Sequence, residues 1–521
     1  MKLLRASIAA ALGLSATLAS AQGTSATVED RLQKLEAEQT ALKQQQAEMQ
    51  RELAERDARI KQLESQLQAG GTAGAAAAPV SAPSPEPAPR PEPASGSAVG
   101  VVAATPEQTQ EARGAPEKKV PAPRIETWGE FDPGNGFLIG RNDLGELDIS
   151  AYAMVRYMGQ SDEDGVFTDH LGNERPVDTR NDIYSHRIMV FFKGWLVDPK
   201  LVYNIFLWTV NTTDQNAIFG NIGYQFDRKF SLYAGVAGNP GSRSLMGSHP
   251  YWLGHDRVMA DEFFRPYFGS GIWAIGEIVP GLWYDAMLSN NNSALGVKAS
   301  QLDRKMTVGG SLWWMPTTDE FGPRGGYGDY EYHENLATRF GVSTVYSPEQ
   351  SFADFDKSPS NTTLRLADSV NLFETGALAP GVTIDTADYQ VVSVDAGLKY
   401  KGVFLQAEYY WRQLDKFAAD GPLPVNEIKD TGFYVQAAFF PIKEKLEVYG
   451  VTSQIYGDDD AGFGDSSEYI LGMNYYPFHT RNHRLNVQLM DVNKSPVSST
   501  FGYYTAGQDG FTFATSFSVF F

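Results

Sequence analysis

The chain has 521 residues, a formal net charge of −20, no cysteine and 12% aromatic residues. An acidic chain without a basic stripe excludes nucleic acid as a partner, and the missing cysteines exclude a disulfide framework. No segment approaches the roughly eighteen uninterrupted apolar residues of a membrane-spanning helix.

Residues 1–21 read as a secretory signal peptide. Met1-Lys-Leu-Leu-Arg5 is a short basic start, Ile8 to Leu18 is a mainly apolar run, and Ala19-Ser20-Ala21 supplies the small-x-small cleavage pattern. Residues 22–68 are predicted to form a coiled coil. Val28, Leu32, Leu35, Gln39, Leu42, Gln46, Met49, Leu53, Arg56, Ile60, Leu63 and Leu67 keep an unbroken 4-3 spacing. Gln and Arg in that seam are tolerated better where three helices share polar groups, so the rod is expected to be three-stranded. Residues 69–127 are rich in Ala, Pro, Gly, Ser and Glu, cannot bury a core, and read as an extended linker.

From residue 128 to 521 the texture changes to short alternating segments. Leu147, Ile149, Ala151, Ala153, Val155 and Tyr157 alternate with Asp148, Ser150, Tyr152, Met154 and Arg156. Tyr184, Ile188, Val190, Phe192 and Leu196 are read as a second apolar face, with Ser185, Arg187, Met189 and Lys193 opposite. Val403 to Arg412 and Leu485 to Leu489 alternate in the same way. Many segments reach the roughly nine residues a barrel strand needs, with aromatics near their ends such as Tyr157, Trp195, Trp411 and Tyr475.

Short turns are predicted at 198–200, 227–229, 280–281, 401–402 and 441–445. Long polar stretches fall at 160–181, 239–265, 317–334, 347–388, 413–430 and 457–467. Short turns on one side and long loops on the other are the asymmetry of an outer-membrane barrel. The expected fold is therefore all-β: a transmembrane antiparallel β-barrel of about 16 strands, preceded by the helical coiled coil and the linker. The last strand ends on Phe521. Phe511, Phe513, Phe517 and Phe521 are expected to face lipid, and Thr512, Ser516 and Ser518 the lumen.

Several residues carry a family resemblance. They are Gly136-Phe-Leu-Ile139, Arg187, Val197-Asp-Pro-Lys200 and, above all, Leu253 to Pro266 with Asp256-Arg-Val-Met-Ala-Asp-Glu-Phe-Phe-Arg-Pro266. This body resembles the phosphate-selective porin O/P family. The preceding coiled coil resembles trimeric porins of the dicarboxylate-uptake type. The resemblance implies a 16-stranded barrel, a homotrimer, and passive uptake of small anions. It also implies the outer membrane as location, with lipid, lipopolysaccharide and the barrel-insertion machinery as partners, the last reading Phe521 as its signal. The stalk would lie in the periplasm, within reach of peptidoglycan.

Charge limits how far that substrate carries over. Residues 128–521 hold 29 Lys+Arg against 48 Asp+Glu, near −19, unlike a dedicated phosphate funnel. Many acids fall in the expected outer loops, including Asp162 to Asp164, Asp458 to Asp460 and Asp465. The expected lumen face instead carries Arg156, Arg187, Lys193 and Arg412. Residues 239–268 are the expected inward-folded constriction loop, with Arg243, His249, Tyr251, Trp252, His255, Asp256, Arg257, Asp261, Glu262 and Arg265. Both signs side by side would set a transverse field, or Asp256 with Arg257 and Glu262 with Arg265 would pin the loop as ion pairs. No G-x-S-x-G elbow is present, and His479 and His483 flank a turn, so no catalytic residue, metal or cofactor is predicted. Two functions remain: a diffusion porin, or an envelope tether whose barrel is mainly an anchor for the stalk.

Overall fold

The computed structural model describes residues 136–521 except 211–214, 246–251, 291, 293–304, 318–320, 322–325, 352–363 and 499–502. The expected signal peptide, coiled coil and linker lie outside the described residues. The first strands are β1 (Phe137–Asn142), β2 (Gly145–Gln160), β3 (Val166–Thr168), β4 (Glu174–Pro176), β5 (Asn181–Leu196) and β6 (Asp198–Val210). Then come β7 (Gln215–Asp227), β8 (Phe230–Gly238), β9 (Phe268–Val279), β10 (Leu282–Asn290), β11 (Met306–Trp314) and β12 (Ala337–Gln350). The remainder are β13 (Ile384–Tyr400), β14 (Val403–Ala419), β15 (Glu427–Ile442), β16 (Leu446–Tyr456), β17 (Ser466–Tyr475), β18 (His483–Asn493) and β19 (Gly510–Phe520).

Sixteen of these, β2 and β5 to β19, pair antiparallel in chain order, and β19 pairs back onto β2 to close the ring. β19 covers residues 152–160 of β2, while β1 covers residues 145–149 on the same edge. The two chain segments thus complete one closing position. β3 and β4 form a separate hairpin in the loop after β2. Closure pairs the sixteen ring strands on both sides, which an apolar solvent demands.

The strands are apolar outside and polar inside, as the period-2 pattern requires. In β14, Val403, Leu405 and Trp411 are exposed while Phe404, Gln406, Glu408, Tyr410 and Arg412 are buried. In β18, Leu485 and Leu489 face out and Asn486 and Gln488 face in. β19 places Phe511, Phe513, Phe517 and Phe521 outside, and Thr512, Ser516 and Ser518 inside, as expected. An outer belt of this kind has no favourable solvent except lipid: at about 25 cal/mol per Å² its exposure to water would be prohibitive.

Several expectations are corrected. Tyr184 does not lie on the outer face. The β2–β5 register slips between Tyr152 and Met154, opposite Arg187, whose φ is 55°. This bulge reverses the parity upstream of it, so Ile183 faces out and Tyr184 joins Arg156 on the inner side. Trp195, on the Lys193 face, likewise points inward and donates Nε1–H to Glu146 Oε2 at 3.2 Å.

The stretch 317–334 is not an outer loop. The hairpin β10–β11 turns over at the long-loop end, so the connection between β11 and β12 falls at the short-turn end. The stretch 413–430 is mostly strand: β14 and β15 extend until only residues 420–426 connect them.

Candidate functional site

The described residues of the connection between β8 and β9, 239–245 and 252–267, fold into the barrel as a strap. It includes a 3-10 turn at Arg243–Leu245 and the short helix α1 (Met259–Phe264), every residue of which is buried. The backbone N–H of Met259 donates to Glu468 Oε2 on β17 at 2.9 Å, and that of Ala260 to Ser453 Oγ on β16 at 2.8 Å. β16 and β17 stand eight places round the ring from β8 and β9. The strap therefore crosses the lumen from wall to opposite wall.

Charged side chains fix that crossing. Arg187 on β5 donates through Nη2 to Asp256 Oδ2 at 2.6 Å, and its guanidinium lies 4.9 Å from the Trp252 ring centre. The other Asp256 oxygen accepts the Arg257 backbone N–H at 2.8 Å. Burial alone would raise the Asp256 carboxyl, but the Arg187 and Arg257 guanidiniums hold it below its ordinary value. Arg257 Nε donates to Ser244 Oγ at 2.9 Å and sits 3.6 Å from Asp261 Oδ2. Burial pushes the Asp261 carboxyl up against the pull of Arg257, and Tyr410 donates its hydroxyl to Asp261 Oδ1 at 3.2 Å. Glu262 accepts two bonds from Arg265, at 3.0 and 2.9 Å. His255, with Nδ1 2.5 Å from Ser516 Oγ, is pushed well below its ordinary value by burial and by Arg156 and Arg484. It is therefore a neutral polar group.

The sequence-predicted residues divide accordingly. Arg243, Arg257, Asp261, Glu262 and Arg265 lie together on the strap, and Arg187 meets them from the wall. Arg412 touches the strap from β14, its guanidinium 3.9 Å from the Phe263 ring centre while it pairs with Asp430 at 2.6 Å. Arg156 lies between the rings of Tyr184 and Tyr503, at 5.0 and 5.1 Å. Lys193 is a lumen-face residue opposite Asp148 and Asn204 in register, on the short-turn half of β5 rather than at the strap. His249 and Tyr251 lie outside the described residues. Asp256 pairs with Arg187 on the wall, and the Glu262–Arg265 pair forms as expected.

Sequence reading missed the wall groups that receive the strap. Glu408 accepts the Arg243 N–H at 2.9 Å, and Tyr389 donates its hydroxyl to the Phe264 carbonyl at 2.6 Å. Alternation puts Glu408 on the inner face, but nothing local names a partner 165 residues away. Gly432 is a further receiver: a Cβ there would lie 2.4 Å from Phe264 Cε2 and 2.5 Å from the Gln454 carbonyl oxygen. Gly432→Val is expected to lever the helix off β15 at a cost of about 1–3 kcal/mol. The expected readout is faster tryptic cleavage at Arg257 in the folded barrel; unchanged cleavage would show that this packing does not hold the strap.

Known proteins offer a partial likeness. The family model described as phosphate-selective porin O and P matches residues 336–500, from the start of β12 to beyond β18. No curated protein matches the chain. Among solved structures, the anion-selective porin from Comamonas acidovorans is 11% identical, with a TM-score of 0.43 over 72% of this chain and 99% of that one. The trimer form of OmpT from Vibrio cholerae is 11% identical, with a TM-score of 0.44 over 73% and 100%. The outer membrane channel DcaP of Acinetobacter baumannii is 12% identical, with a TM-score of 0.40 over 74% and 99%.

Proposed function

We propose that the chain is an outer-membrane porin, a channel for passive diffusion of small hydrophilic solutes. The observation that carries this reading is the strap: a charged segment crossing a closed 16-stranded barrel and fixed to the opposite wall. A mere anchor has no use for such a device, whereas a channel uses it to set pore width and field. Small anions such as phosphate or dicarboxylates are the proposed cargo, supported by the name of the matched family and by the basic residues Arg187, Arg243, Arg257 and Arg265 at the strap. The assembly is proposed to be a homotrimer set in lipid and lipopolysaccharide and delivered by the barrel-insertion machinery. The stalk is proposed to reach from the periplasmic face towards peptidoglycan.

A second reading, the envelope tether, is favoured by one observation: the inward charged groups Arg156, Arg187, Lys193, Glu408 and Arg412 are all buried. Planar-bilayer recording of the full chain separates the two. Stepwise conductance is expected of a porin, and a silent, correctly folded barrel would leave the tether.

Selectivity has its own test. Replacing Arg257 and Arg265 together by Gln is expected to shift the reversal potential in a salt gradient towards cations, because Asp261 and Glu262 then lose their counter-charges. An unchanged potential would remove the strap from selectivity. Repeating the gradient with phosphate, chloride and a dicarboxylate ranks the cargo.

A further inference from the structure

Connections at the short-turn end are brief, with one exception. Val197 alone joins β5 to β6, and the β17–β18 connection takes residues 476–482, whereas residues 315–336 join β11 to β12. A hairpin needs no such length, so the excess asks for another role. Within it, residues 326–333 run inward and sideways across that mouth. Lys399 Nζ on β13 donates to the Gly326 carbonyl at 2.8 Å. Gly402 N–H, in the β13–β14 turn, donates to Asp329 Oδ2 at 2.7 Å. Arg481, in the β17–β18 connection, donates to Glu331 Oε1 at 2.8 Å and also to the Tyr327 carbonyl. That connection is six strands round the ring from β11.

The tip of the segment meets the strap. Tyr327 is 3% exposed, its hydroxyl 3.2 Å from that of Tyr434 on β15 and its ring centre 5.2 Å from the Arg243 guanidinium. Tyr434 in turn donates to Glu408 Oε2 at 3.0 Å, while Glu408 Oε1 accepts the Arg243 N–H. Two inserts entering from opposite ends of the barrel thus share one polar junction. Two left-handed residues, Gly328 at φ 76° and Tyr332 at φ 58°, bracket the anchoring carboxylates. The carboxylates and imidazole of Asp329, Glu331 and His333 are already committed to Gly402, Arg481 and one another, which makes them a latch rather than a vacant metal site.

We propose that residues 326–333 are an inner gate, closing the lumen at the short-turn end until the Glu331–Arg481 latch and the Tyr327–Arg243 contact release together. The proposal rests on the porin reading and adds its regulation. Its latch is polar and its Glu331 carboxylate is partly exposed, so the contact is reversible and screened by salt. Its tip is an aromatic under a cation, which seals against water without a large apolar interface.

Single-channel recording of the full-length protein tests this with Tyr327→Ala and, separately, Glu331→Gln. Both variants are expected to raise conductance or open probability severalfold, with the heat-resistant mobility of the folded barrel retained. Glu331 lies at the edge of the segment, so Glu331→Gln keeps the test valid if loss of the buried Tyr327 prevents folding. Folded variants that conduct as the wild type does would overturn the gate and leave the porin reading intact. Silence in wild type and variants alike would overturn both.

Discussion

Arg187→Met is expected to release the strap from the β5 wall and to produce the largest change in channel behaviour of any single substitution. Arg187 and Asp256 have side chains only 3% and 4% exposed, so each helps the other to remain charged inside the barrel. Removing one partner of such a pair costs about 3–5 kcal/mol, because the survivor is left desolvated. Met keeps the length of the side chain and can occupy the φ of 55° no worse than Arg does, which isolates the charge effect from the bulge itself. The pH response supplies the sign. In the wild type the Asp256 carboxyl is held below its ordinary value, so its contribution is fully present above that ordinary value and disappears as pH falls through the folded one. Without Arg187 the largest influence opposing burial is gone, the folded value rises, and loosening of the strap should begin at higher pH. Hydrogen exchange of peptides from 253–265, followed against pH together with current noise, measures both. Arg187→Met with Asp256→Leu should regain most of the lost stability, since an apolar pair of similar volume removes the orphaned charge. Equal protection in wild type and Arg187→Met would end the pinning argument.

Arg187 also marks the limit of what alternation can report. In β14 as far as Leu414, and throughout β18 and β19, the period of two runs unbroken, and each residue's face is legible from neighbours alone. In β5 the chain inserts a bulge at an Arg rather than at a Gly, so no sequence signal announces the slip and Tyr184 is placed on the wrong side. The β10–β11 hairpin is missed for a different reason. Gly309-Gly310 weakens the alternation of β11. One missed reversal inverts the side on which the next connection emerges, and so an insert at the short-turn end was expected at the other. The strap itself was legible as a dense run of both charge signs. Its partners were not, because Glu408, Ser453 and Glu468 are assigned by the closure of the ring, which no local window contains.

Deleting Phe521 is expected to abolish most of the membrane-assembled protein while leaving the selectivity of any surviving channels unchanged. Phe521 is bonded in both directions to Ala151, its N–H to the Ala151 carbonyl at 3.1 Å and its carbonyl from the Ala151 N–H at 3.2 Å. Its ring packs at 5.0 Å on Phe137 of β1, where β19 and β1 meet along the β2 edge. Two backbone hydrogen bonds at about 0.5–1.5 kcal/mol each, lost where an unpaired edge would face hydrocarbon, fall on the step that closes the barrel. The side chain faces outward, away from the strap, which is why conduction should be spared. Comparing the deletion with Phe521→Ala separates two causes. The alanine variant keeps both backbone bonds, so refolding from denaturant into lipid should proceed nearly as in the wild type. If it nevertheless fails to assemble in cells, the aromatic ring is read by the insertion machinery. If both variants fail in both settings, the ring contact with Phe137 is needed for closure itself, and the targeting role of Phe521 falls away.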